Sequence, residues 1–166
     1  MISRVLAISL IFLIACQSKP EKDEILRHVG DITFDPEIDN VDFEICNENR
    51  IYQYYNFSNA IMYEGEKATL VREIHNEFEV TDADDNGYIS VRFVVNCKGQ
   101  TGRFRVTTMN DDYQEIQLST ALTNQLLEIV KSRKGWLKGE SRGKKRDYYQ
   151  YLTFKIKNGQ LIDIMP

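Results

Sequence analysis

The chain has 166 residues, 42% of them hydrophobic and 28% charged, with a formal net charge of −4. That is enough chain for one domain with a core of its own, and the composition is that of an ordinary globular protein. The mild acidic excess argues against nucleic acid as a main partner.

Residues 1–4 are a short basic start, residues 5–14 an apolar run, and Ala15 a small residue ahead of Cys16. This is the layout of a secretory signal. The run is too short to span a bilayer as a helix, which takes about 20 apolar residues. Leu13-Ile14-Ala15-Cys16 resembles the lipobox of bacterial lipoproteins. The resemblance implies cleavage before Cys16, acylation of its sulfur with palmitate-type chains, and lipid anchoring in the cell envelope. Gln17 after the cysteine resembles the outer-membrane sorting pattern more than the inner-membrane one. Residues 1–15 are then the signal peptide, and the polar residues 16–30 a lipidated tether.

Residues 31–59 read as a strand-rich extension. Ile32-Thr33-Phe34, the alternating residues 41–45 and the tyrosine-rich residues 51–57 are separated by Asp35-Pro36 and Asn47-Glu48-Asn49. With Cys16 assigned to lipid, Cys46 and Cys97 are an even pair in an oxidising compartment and predict a disulfide.

Apolar residues at helical spacing predict a helix over 64–78, with Leu70, Val71, Ile74 and Phe78 on its stripe. The alternation Ile89, Val91, Phe93, Val95 predicts a buried strand, and residues 96–102 a glycine-bearing hairpin loop returning through 103–107. Leu118, Leu122, Leu126, Ile129 and Val130 predict a second helix over 117–133, started by Ser119 or Thr120 and stopped at Gly135. Residues 136–146 read as irregular. Tyr148–Lys157 is a strand, and Asn158-Gly159 turns it back into 161–164. The order helix, strand, strand, helix, strand implies an α+β fold, a small antiparallel sheet with two helices packed on one face.

Charge is unevenly distributed. Residues 21–85 hold 18 acids and 5 bases, whereas residues 131–157 hold 10 bases against Glu140 and Asp147. Two solvated faces of one fold would produce this, as would a docking surface for an acidic partner or anionic headgroups.

Residues carrying chemistry are few. Asp82, Asp84, Asn86, Gly87 and Ile89 match the front of an EF-hand loop, but Phe93 stands where the bidentate glutamate belongs. A polar turn explains the same residues. No Gly-x-Ser-x-Gly, His-Glu-x-x-His or phosphate loop occurs, and His28 and His75 have no ligand spacing. The expectation is a protein that is not an enzyme, with no cofactor and no metal. Tyrosines cluster at 52, 54, 55, 63 and at 148, 149, 151, which suits either sheet packing or an exposed binding stripe.

Gly87-Tyr88-Ile89-Ser90-Val91-Arg92-Phe93-Val94-Val95-Asn96-Cys97-Lys98-Gly99 resembles a signature strand pair of the TonB C-terminal domain in its Bacteroidetes-type form. Residues 64–70, Leu126-Leu127-Glu128-Ile129-Val130-Lys131, Trp136-Leu137-Lys138-Gly139-Glu140-Ser141-Arg142-Gly143-Lys144 and Tyr151-Leu152-Thr153-Phe154-Lys155-Ile156 resemble its other parts, in the family's order. Lys138 stands where the family has proline. The resemblance covers about residues 60–157 within a domain of 60–166. It implies a module that accepts a receptor's extended segment as an added strand. The candidate edge is Tyr148, Tyr149, Tyr151, Thr153 and Lys155. A transducing member of the family has an inner-membrane helix and a long proline-rich span, and this chain has three prolines in all. The expected function is therefore a non-enzymatic envelope lipoprotein that binds a protein or peptide, accessory to outer-membrane receptors. The competing expectation is a lipid-anchored hydrolase or glycan-active protein.

Overall fold

A computed structural model describes residues 31–58, 60–80 and 84–166. The expected signal peptide, Cys16 and the expected tether lie outside the described residues. Residues 32–166 form one compact unit.

The centre of the sheet is β2 (Gly87–Val95) against β6 (Tyr148–Lys157), antiparallel over their whole shared length from Gly87↔Ile156 to Val95↔Tyr148. β3 (Thr101–Met109) pairs with the far side of β2. On the other side of β6 lie β7 (Gln160–Met165) and the two-residue β1 (Tyr52–Gln53). The β6–β7 turn is the expected Asn158-Gly159, both residues at positive φ (51° and 69°), a geometry that asparagine and glycine tolerate best. Because β1 runs parallel to β6, the sheet is mixed and not purely antiparallel.

Period two sends Ile89, Val91, Phe93 and Val95 to the same face as Tyr148, Leu152, Phe154 and Ile156. There they meet Leu70 and Ile74 of α1 (Glu66–Glu77) and Leu122, Leu126, Ile129 and Val130 of α2 (Thr120–Ser132), all in one buried cluster. Burial of each such side chain contributes about 1.5–3 kcal/mol. Ser119 caps α2 by accepting from the Leu122 N–H at 3.3 Å. Both helices cover one face, as the periodicity implies.

The opposite face is where the sequence reading fails. Among the described residues of 31–59, only β1 is a strand. Polar side chains in this segment take up backbone N–H groups that a ladder would need. The Asp35 carboxylate accepts from Glu37 N–H, Asn40 from Asp42, Asn47 from Asn49, and Asp39 from Asp35. Such local bonds outcompete strand pairing in short pieces. The segment lies instead as a turn-rich strap across the sheet, where Ile32, Phe43, Ile45 and Ile51 pack on Val94 and Tyr149. Phe43 rests directly on Gly102, where its ring leaves no room for a Cβ.

Residues 136–146 are likewise more regular than expected. β4 (Gly139–Ser141) and β5 (Lys144–Arg146) form a separate hairpin, turned by Arg142 and Gly143 at φ 53° and 72°. The sign available in the sequence was a lone glycine between two polar pairs, a weak signal beside Asn-Gly.

Candidate interaction surface

β6, read from the sequence as the partner-binding edge, is an interior strand. β2 occupies one side of it, and β1 and β7 occupy most of the other, pairing with Tyr148, Tyr149 and residues 153–157. Tyr148 and Tyr149 are buried. The Tyr148 hydroxyl donates to the Leu137 carbonyl at 2.7 Å, and burial pushes its ionisation well above the usual tyrosine range. Tyr151, Thr153 and Lys155 are half-buried on the face away from the helices. The expected edge is lost because β7 folds back to bury Leu161 and Ile164.

The outer strands of the sheet are β3 on one side and β7 with the two-residue β1 on the other, and both β3 and β7 are blunted. A bulge interrupts β3 between its partners Arg92 and Val94, with Arg103 at φ 55°. Further along, the Thr108 carbonyl accepts from Ile116 N–H at 3.2 Å. β7 has its own irregularity opposite Lys155 and Ile156, and the Asp163 carboxylate accepts the Ile164 N–H at 2.8 Å. Bulges and edge carboxylates of this kind oppose strand addition.

The strap leaves part of the sheet face open. Tyr88, Ser90 and Arg92 of β2 lie beside Tyr151, Thr153 and Lys155 of β6, with Thr107 and Met109 of β3 at the margin. Three rows on three strands span roughly 10 by 14 Å. Tyr113, 73% exposed, stacks on Tyr88 with centroids 5.9 Å apart and planes 11° apart. The Lys155 ammonium lies 5.7 Å from the Tyr88 ring centre, and Tyr54 meets Tyr151 edge-on at 5.2 Å. Aromatic faces, cations and hydroxyls are thus presented together on rigid strands. The tyrosines of the sequence clusters divide: Tyr63, Tyr148 and Tyr149 are core, Tyr151 borders this face, and Tyr88 and Tyr113, outside both clusters, contribute most to it.

Beneath the start of α1 is a shallow cleft of about 680 Å³. The Tyr63 hydroxyl donates to Glu73 at 2.7 Å, and Arg133 pairs with Glu73 at 3.4 Å and with Glu77. Burial, and then the bond to Glu73, push Tyr63 up to about 12. A phenol held in that state is a poor proton donor near neutrality, and the charged groups around it satisfy one another.

Cys46 and Cys97 form a disulfide with an S–S length of 2.05 Å. Their sulfurs lie within 4.8 Å of a carboxylate oxygen of Asp147, a spacing that could hold a metal were the thiols free. Oxidised sulfur has no thiolate to offer. Asp147 is instead a structural acceptor, taking N–H groups from Cys46 (3.1 Å), Asn47 (2.8 Å) and Cys97 (2.8 Å). Nothing in the sequence singled it out, because its three donors are about 50 and 100 residues away.

The EF-hand-like turn is only partly described, since residues 81–83 lie outside the described residues. Both carboxylate oxygens of Asp85 accept from Ser119, from its N–H at 2.9 Å and its hydroxyl at 2.5 Å. Asn86 accepts from Asn158 N–H at 3.0 Å. These two residues tie the turn to α2 and to the β6–β7 hairpin.

The charge split also resolves in space. Asp39, Glu44 and Glu48 of the strap pair with Arg105, Lys98 and Arg103 across the sheet. In the β4–β5 hairpin one pair forms, Lys145 with Glu140. Lys138, Arg142 and Lys144 are exposed and make no ion pair among the described residues.

No family model, curated protein or solved structure matches this chain.

Proposed function

We propose that the protein is a non-enzymatic envelope lipoprotein, anchored through Cys16, whose C-terminal domain is a protein- or peptide-binding module of TonB-like design, accessory to outer-membrane receptors. The observation that carries the reading is the open sheet face around Tyr88, Arg92, Tyr113, Tyr151 and Lys155. It joins rigid aromatic area to charge and hydroxyls, the mixture that protein recognition sites favour. The TonB-like part of the reading is supported by the quoted pieces falling in order on α1, β2, α2, β4 and β6 of one unit. Ligand capture would use the face and not an added strand on β6, since β6 is paired along one side and over most of the other.

The test is recovery of partners from detergent-solubilised envelope, quantified by mass spectrometry. Wild type is compared with Tyr88→Ala/Tyr151→Ala, which keeps the helix-side core intact. Loss of a specific envelope protein with the variant is expected. Equal recovery would remove the face from the proposal. Labelling with a fatty-acid analogue tests the anchor separately: Cys16→Ser should abolish it, and equal labelling would sink the lipoprotein assignment.

A further inference from the structure

The β4–β5 hairpin has no part in the open face, and its charge is unusual in this molecule. Residues 138–146 hold five bases and Glu140. Lys138, Arg142, Lys144 and Lys145 are exposed. Arg146 turns back to lie over the Tyr52 ring at 5.8 Å, with Arg50 over the same ring at 5.2 Å. On the strap side, by contrast, Lys98, Arg103 and Arg105 are matched by Glu44, Glu48 and Asp39. Leu137, 46% exposed, adds an apolar side chain at the hairpin's base.

The position of the hairpin is as telling as its charge. It projects from the end of the sheet where β2 finishes and β6 begins, with Asp147 alone between β5 and β6. Lys138 lies against Gly99 of the β2–β3 loop, and the Cys46–Cys97 bridge is at the same end. Ile32, the first residue of the compact unit, is buried there against Val94 and Tyr149. The chain therefore enters the unit at its basic end. From Cys16 to that point the sequence allows about 50 Å of extended chain. The charges sit on a two-residue turn and short strands with no enclosing pocket, so they suit a plane of negative charge better than a single bound anion.

We infer that the β4–β5 hairpin docks the domain on anionic lipid headgroups, through Lys138, Arg142 and Lys144. This rests on the lipoprotein reading, to which it adds a second membrane contact. Acyl chains and a polybasic patch act together in this way, neither sufficing alone for firm attachment. The consequence is orientation: the strap end faces the bilayer, and the opposite end of the sheet, with Asp84, Asp111 and Asp112, points away.

The test uses the chain from Gln17 onward, which lacks the lipid and the signal but keeps the whole compact unit. Vesicles of phosphatidylcholine with phosphatidylglycerol should sediment it, and phosphatidylcholine alone should not. Each neutralised base should weaken partition about fivefold, so Lys138→Gln/Arg142→Gln/Lys144→Gln should lose roughly a hundredfold. Raising salt to ~0.5 M should have the same effect on the wild type. The side chains are exposed, so the variant's melting temperature should stay at the wild-type value, which controls for folding. Equal binding of variant and wild type, or equal binding to both vesicle types, overturns the inference. So does binding to an acidic envelope protein that anionic vesicles fail to compete away. Acyl labelling of Cys16 in the full chain separates the two ideas: labelling without vesicle binding removes only the hairpin's role, and vesicle binding without labelling removes only the anchor.

Discussion

Arg105 grips Asp39 with both ends of its guanidinium, Nη1 and Nη2 each 2.8 Å from one carboxylate oxygen. The pair joins β3 to the strap across 66 residues of sequence, and Nη2 also donates to the Thr33 carbonyl at 2.7 Å. The Arg105 hydrogen bond holds the Asp39 carboxyl below its ordinary range, against a desolvation that opposes it. A lowered folded value means that the stabilisation is present above the unfolded value of about 3.9 and is lost as pH falls through the folded one. Asp39→Asn should destabilise the domain by about 1–2 kcal/mol near neutral pH. The gap between variant and wild type should narrow as pH falls through the lowered folded value and the Asp39 carboxylate takes up its proton. Urea midpoints measured from neutral pH down into the acid range check this, and a gap independent of pH would refute it.

Reduction of Cys46–Cys97 should cost about 4 kcal/mol, because the bridge closes a long loop in the unfolded chain. Asp147 should matter beside it. The carboxylate is 1% exposed and accepts three backbone N–H groups, so Asp147→Ala leaves donors stranded at the foot of the strap. A loss of about 2–3 kcal/mol is expected, measured by denaturant unfolding under oxidising conditions. In the reduced protein the same substitution should cost less, since the strap is then free to leave. Identical losses in both states would show that bridge and carboxylate act independently.

Tyr63 supplies an alkaline counterpart. It ionises at about 12 when folded, raised by burial and by its bond to Glu73. Between about 10 and 12 the folded chain keeps a proton that the unfolded chain has lost, so stability falls as pH rises across that window. Tyr63→Phe should flatten that part of the stability curve. At neutral pH it should cost under about 1 kcal/mol, since Glu73 remains partly solvated and retains Arg133. An unchanged alkaline slope in the variant would contradict the assignment.

Gln150 sits fully buried in the helix-side core, opposite Phe93. Its amide donates to the Tyr151 carbonyl at 3.0 Å, while its Oε1 has no hydrogen-bond partner among the described residues. A buried acceptor without a partner costs about 1–3 kcal/mol. Gln150→Met keeps the volume and removes the acceptor, so the melting temperature should rise. A fall would mean that the amide makes contacts the surrounding core depends on.

The long elements were legible because their information is local. Alternation at 89–95 and 148–157, helical spacing at 66–77 and 120–132, and Asn158-Gly159 each state their structure within a dozen residues. The Cys46–Cys97 pairing was legible by elimination. The sequence could not say which side of β6 stays open, because that depends on whether β7 and β1 reach it. It could not show the strap either: alternation at 41–45 looked like a strand, whereas Asn40 takes the N–H groups of Asp42 and Phe43 into a turn. The charge split was visible as a count. Only the fold decided that the strap's acids would be spent on Arg103 and Arg105 and the hairpin's bases left facing solvent, since ion pairs form between residues that packing brings together.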